Sequence, residues 1–126
     1  MFMESVSFLS TQIEIIAKVV SYYIVLIFPF LDSYFTNNPE NIMIVVGFGG
    51  QALFAARFLI QWITSENAKK SVIPIAFWYF SITGGVVLLT YAIWRKDPVI
   101  IAGQSVGILI YARNLYFIHK DKKNYN

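Results

Sequence analysis

The chain has 126 residues, 57% of them hydrophobic and 13% charged, with a mean hydropathy of +0.59, whereas soluble domains carry roughly 25% charged residues. That balance excludes an ordinary soluble domain and predicts an all-α membrane protein. There is no cysteine, and the single histidine, His119, lies in a polar tail, so no disulfide, thiolate site, metal centre or other cofactor is expected.

A spanning helix needs about 20 mostly apolar residues, and four windows meet that length. The first is Ile15–Phe35, with Lys18 near one end, Asp32 near the other and a possible kink at Pro29. Glu14 and Lys18, four residues apart, can pair on one helix face near the interface. The first seventeen residues hold no Lys or Arg, unlike the basic start of a signal peptide, so this span is expected to be retained. The second window is Ile42–Ile63, the third Pro74–Trp94 and the fourth Val99–Ile118. Pro74 and Pro98 fall at helix starts, where a missing N–H costs little. The chain thus divides into an N-terminal span and loop (1–41), a three-helix core (42–118) and a basic tail (119–126).

Loop charge predicts the topology. Lys69, Lys70, Lys120, Lys122 and Lys123 fall on one side, and only Arg95 and Lys96 on the other. The positive-inside rule then places both termini in the cytoplasm. Trp62 and Trp78 fall near the inner interface and Trp94 near the outer one, as an aromatic belt requires. All seven glycines lie in the second to fourth spans. There, small residues allow helices to approach closely, either inside one bundle or at a dimer seam.

Two charges escape the loops: Arg57 in the second span and Arg113 in the fourth. An intramembrane charge costs about 2.5–3.5 kcal/mol on insertion scales. Either arginine could snorkel to the headgroups. Their similar depth, their amide neighbours and the lack of a membrane carboxylate point instead to a shared site for a ligand phosphate, which an arginine fork binds bidentately. The two spans also echo each other: "GGQALFAARFL" and "AGQSVGILIYARNLY" both carry Gly-Gln and then Ala-Arg. Helical phase puts Arg57 on one face with Gly50, Leu53 and Gln61, and turns Arg113 toward Val106, Leu109 and Phe117. The substrate-binding candidates are Arg57, Arg113, Gln51, Gln61, Gln104, Asn114, Trp78 and Tyr111. The amides would bond phosphate or sugar hydroxyls, and Trp78 and Tyr111 would stack on a sugar ring. The acidic residues are scattered without paired spacing, so no catalytic residue is expected and the chain is not expected to be an enzyme.

The pieces "RFLIQW", "SE", "KSVIPIAFWYFS", "GG", "YAIWRKDPV", "GQ" and "YARNL" resemble the lipid-A-biosynthesis N-terminal domain family, over residues 47–115. That family is named from domains fused to some lipid-A-disaccharide synthases. It also includes stand-alone small membrane proteins found beside lipid A and polyprenyl-phosphate sugar transferases. A fainter resemblance is to PQ-loop and SWEET-type transporters: "IQW…KKSVIP" holds the Gln61 and Lys70-Ser71 positions, with Ile60 in place of the proline. Residues 42–118 would form their three-helix unit, which works in pairs and so implies a homodimer. Together the resemblances imply a multi-pass protein of the bacterial inner membrane. It would be a flippase moving a polyprenyl-phosphate-linked sugar for lipid A modification, in contact with membrane lipids and with no nucleic-acid partner. The alternative is a membrane anchor or accessory subunit of a glycosyltransferase.

Overall fold

The computed structural model describes residues 1–35 and 40–125, with side chains placed through Asp121. Residues 36–39 of the first loop and the side chains of Lys122 and Lys123 lie outside the described set. The described residues form helices throughout: α1 (Phe2–Ile27), a 3-10 turn (Pro29–Leu31), α2 (Asp32–Phe35), α3 (Asn41–Ala68), α4 (Ile75–Arg95) and α5 (Pro98–Tyr125). Four of them, α1, α3, α4 and α5, are long and apolar enough to cross a membrane. Large apolar side chains such as Phe8, Ile27, Phe48, Trp62, Val99 and Leu109 are exposed. That pattern suits lipid as solvent.

The first helix differs from its predicted bounds. It runs from Phe2 and stops at Ile27, not from Ile15 to Phe35. Pro29 opens a separate 3-10 turn, because proline has no N–H to carry the helix onward. The expected Glu14–Lys18 pair is not formed; the one ion pair among the described residues joins the N-terminus to Glu4. α5 continues to Tyr125, so the backbone of the basic tail is helical to that residue.

α4 is the centre of the bundle. Its buried residues are Ser81, Gly84, Gly85, Leu88 and Ala92, which repeat at helical spacing and form one small-residue face. α3 and α5 both pack on α4, while among the described residues no Cα of α3 comes within 8 Å of one in α5. A cleft therefore opens between α3 and α5, with α4 as its floor. Glycine permits the closeness of the α3–α4 seam: a Cβ on Gly84 would stand 2.8 Å from the Phe54 backbone nitrogen and 3.1 Å from the Gly50 oxygen.

α1 crosses this bundle steeply. Val6 clusters with Ala92 and Ile101, and the Ser10 hydroxyl donates to the Trp94 carbonyl at 2.7 Å. Val20 and Thr90 line one cavity. From Val6 to Val20 the helix advances about 21 Å at helical rise, yet its partners on α4 stay within the last turns before Trp94. The first third of α1 thus sits at the end of the bundle where α3 begins and α4 ends.

The helix ends explain the tight loops. Asp97 Oδ1 accepts from the Val99 and Ile100 amides at 3.0 and 3.2 Å, capping α5 ahead of Pro98. Lys69 (φ 54°) and Lys96 (φ 59°) close α3 and α4 in the left-handed region, a place usually held by glycine.

Candidate functional site

The cleft holds two groups of polar side chains. At the end of the bundle near Trp94, a cavity of about 370 Å³ is lined by Ile44, Gly47, Phe48 and Gln51 of α3, Leu88 and Tyr91 of α4, and Ile100 and Gln104 of α5. Gln51 and Gln104, the two halves of the Gly-Gln echo, thus meet at one cavity from opposite walls. The Gln104 side chain lies over Gly85, its Oε1 3.5 Å from where a Cβ would be. Larger residues at Gly47 or Gly85 would close this space.

Arg57 lies six residues beyond Gln51, about 9 Å further along α3, and reaches across the cleft. Its Nη1 donates to Ser81 Oγ of α4 at 3.3 Å and to the Tyr111 hydroxyl of α5 at 3.2 Å. Ser81 is free to accept because its own proton goes to the Phe77 carbonyl at 2.6 Å. The guanidinium carbon is 3.6 Å from the centre of the Phe54 ring, 4.4 Å from Phe58 and 5.3 Å from Phe77. Such cation–π contacts contribute about 0.5–2 kcal/mol each. Together with two hydroxyls they offset much of the cost of a charge at this depth. One buried donor remains uncommitted: Arg57 Nε has no hydrogen-bond partner among the described residues. The arginine is therefore held by neutral groups that an anion could displace.

The other predicted residues are placed as follows. Trp78 lies beside Tyr111, ring centres 6.3 Å apart. Gln61 Nε2 donates to Ser65 Oγ at 3.2 Å, and Ser65 in turn bonds both backbone groups of Val72, so this amide braces the loop after α3. Asn114 Nδ2 donates to the Ile110 carbonyl of its own helix at 2.9 Å. Arg113 is exposed, stacked on Phe117 and Tyr116 of its own helix at 4.3 and 5.1 Å. The structure does not bring it to Arg57 within one chain. Tyr111 is seven residues from Gln104 and shares its face, whereas Arg113 is nine residues away and turns about 180° from it. Ser81, Phe54, Phe58 and Phe77 were not singled out in the sequence. For Ser81 a signal existed: it stands three and four residues before Gly84 and Gly85, on the small-residue face of α4 that the cleft requires.

Residues 46–116 match the Lipid A Biosynthesis N-terminal domain family. The chain belongs to that family. Among its curated relatives, a lipid-A-disaccharide synthase of Chlamydia felis is 36% identical over 86 residues, covering 68% of this chain and 14% of the relative. Lipid-A-disaccharide synthases of Chlamydia pneumoniae and Chlamydia muridarum are each 32% identical, over 80 and 81 residues, covering 64% and 63% of this chain and 13% of each relative. The chain thus spans about an eighth of the length of these relatives. No solved structure matches it significantly. The expectation of a chain outside enzymology is corrected by these matches, because the relatives carrying this Lipid A Biosynthesis N-terminal domain are named as synthases. Scattered carboxylates were a poor guide, since they describe only the small part of those proteins that this chain resembles. Apart from Ile44, the cleft residues described above, from Gly47 to Tyr111, fall inside the family match.

Proposed function

We propose that this chain is a membrane unit of lipid A biosynthesis that holds a phosphate-bearing, sugar-bearing lipid in the α3–α5 cleft and carries it across the bacterial inner membrane. The observation that carries the proposal is Arg57: a half-buried guanidinium with no acidic partner among the described residues and one buried donor left free, hydrogen-bonded to the opposite cleft wall through the Tyr111 hydroxyl. A phosphate entering from the Gln51–Gln104 cavity would take over the guanidinium fork. It would release Tyr111 and let α3 and α5 part. The amides and Tyr91 would receive the sugar, and the lipid chain would leave through the open side of the cleft. The ligand class is a polyprenyl-phosphate-linked sugar or another lipid phosphate of the same pathway. A homodimer would complete the walls, and Arg113, on the outer face of α5, would face the partner or the headgroups.

The relatives support a second reading, in which the unit presents the lipid to a disaccharide synthase or another glycosyltransferase. Both readings use the same cleft, and one experiment separates them. The protein is reconstituted in vesicles with a fluorescent polyprenyl-phosphate sugar, and its transfer between leaflets is followed without any transferase. Transfer that needs Arg57 supports the flippase. No transfer, combined with Arg57-dependent stimulation of added synthase, supports the presenting unit. Neither effect in a folded protein would overturn the cleft as a lipid site.

A further inference from the structure

A second opening lies at the junction of α1, α3 and α4, sharing no lining residue with the α3–α5 cavity. It comprises two neighbouring cavities with no lining residue in common. The inner one, about 230 Å³, is walled by apolar side chains including Ile13, Ile16 and Val20 of α1 and Met43 and Val46 of α3. Thr90, also on its wall, spends its hydroxyl on the Val86 carbonyl. The outer compartment, about 340 Å³, is bordered by Glu14, Glu40, Arg95 and Lys96 beside Trp94. The two adjoin along every helix that builds them: Glu14 follows Ile13, Glu40 precedes Ile42 by two residues, and Trp94 stands one turn beyond Thr90.

The four mouth charges are exposed. Among the described residues none of them pairs with another, the sole ion pair being at the N-terminus. Two carboxylates and two cations therefore border one space without neutralising each other, directly above an apolar trough. The complement of that arrangement is a molecule with one positive group, one negative group and a hydrocarbon chain. An anionic lipid would leave Glu14 and Glu40 facing its charge. A quaternary ammonium has no N–H to give them, whereas a primary ammonium donates three hydrogen bonds.

We propose that this junction binds one phospholipid with a phosphoethanolamine headgroup. Its phosphate rests on Arg95 and Lys96, its ammonium between Glu14 and Glu40, and an acyl chain in the trough. The lipid fills the angle left where α1 crosses the bundle and so fixes α1 to α3 and α4. The site stands independently of the function proposed for the cleft.

The test is native mass spectrometry of the delipidated full chain, titrated with phosphatidylethanolamine, phosphatidylglycerol and phosphatidylcholine of identical chains. Wild type should retain phosphatidylethanolamine about tenfold better than the other two, the scale of a lost charge-assisted hydrogen bond. Glu14→Gln with Glu40→Gln should erase that preference, and Arg95→Gln with Lys96→Gln should weaken all three. Val20→Trp should weaken retention by filling the trough, and chain-free glycerophosphoethanolamine should not compete. The charge variants alter exposed side chains, and an unchanged melting temperature in detergent verifies their fold. Equal retention of the three lipids by wild type, an unaltered preference in the double glutamine variant, or competition by the chain-free headgroup would overturn the proposal.

Discussion

Arg57 and Arg113 sit in similar sequence contexts and have different surroundings. The spacing between the Gly-Gln and Ala-Arg pairs is three residues longer in α5 than in α3, and three residues rotate a helix by about 300°. With Gln51 and Gln104 both turned to the cleft, only one arginine can follow. Arg57→Lys keeps the charge but loses the planar fork and its stacking on Phe54. It should reduce lipid A modification in cells at least tenfold while leaving expression and membrane insertion unchanged. Wild-type modification would reduce Arg57 to a structural tie. Gly84 offers a second contrast. Gly84→Ala places a methyl 2.8 Å from backbone and should destabilise by about 1–3 kcal/mol through overpacking. Gly103→Ala enters open space and should be neutral or stabilising by up to about 1 kcal/mol through helix propensity; thermal unfolding in detergent distinguishes them. The sequence placed Arg57 on the Gly50 face correctly, because phase along one helix needs only residue spacing. It did not yield Ser81 as an acceptor, because which face of α4 meets Arg57 depends on how two helices are rotated against each other.

At the level of elements, the core helices were legible from apolar length and, for α4 and α5, from prolines at their starts, whereas α1 was not. Its window was centred too late because Tyr, Phe and Leu continue past Pro29, so hydropathy alone carried the span through a break that backbone chemistry imposes. Its steep path was beyond reach too, since it depends on the Ser10–Trp94 bond between residues 84 apart. The left-handed lysines ending α3 and α4 were equally unannounced, a sequence cue at such positions being glycine. Lys69→Gly should therefore raise stability slightly, by up to about 1 kcal/mol, as the Cβ penalty disappears. A lower melting temperature would mean that the Lys69 side chain makes an unrecognised contact.

For the whole molecule, the charge asymmetry predicts a cytoplasmic C-terminus. The first third of α1 lies at the end of the bundle beside Trp94, which predicts an N-terminus on that side, whereas a full crossing from Ile15 predicts one in the cytoplasm. A reporter after Asn126 should be active in the cytoplasm, and one before Met1 outside; activity of both in the cytoplasm would mean that α1 crosses fully. The cleft itself is testable because the chain has no cysteine. Gln51→Cys and Gln104→Cys together should be joined by a short bis-maleimide in membranes, and the link should block lipid movement. Absence of cross-linking would mean that α3 and α5 stand further apart than one cavity allows. Arg57 adds an electrical dimension. With no acidic side chain paired to it among the described residues, any rocking that changes its depth displaces a net positive charge through the membrane field. A full crossing is worth about 2.3 kcal/mol per 100 mV, so even a partial shift of an empty cleft would respond to voltage. A bound phosphate would cancel that charge. The loaded step would then run almost independently of membrane potential, while the empty return would be driven toward the negative side.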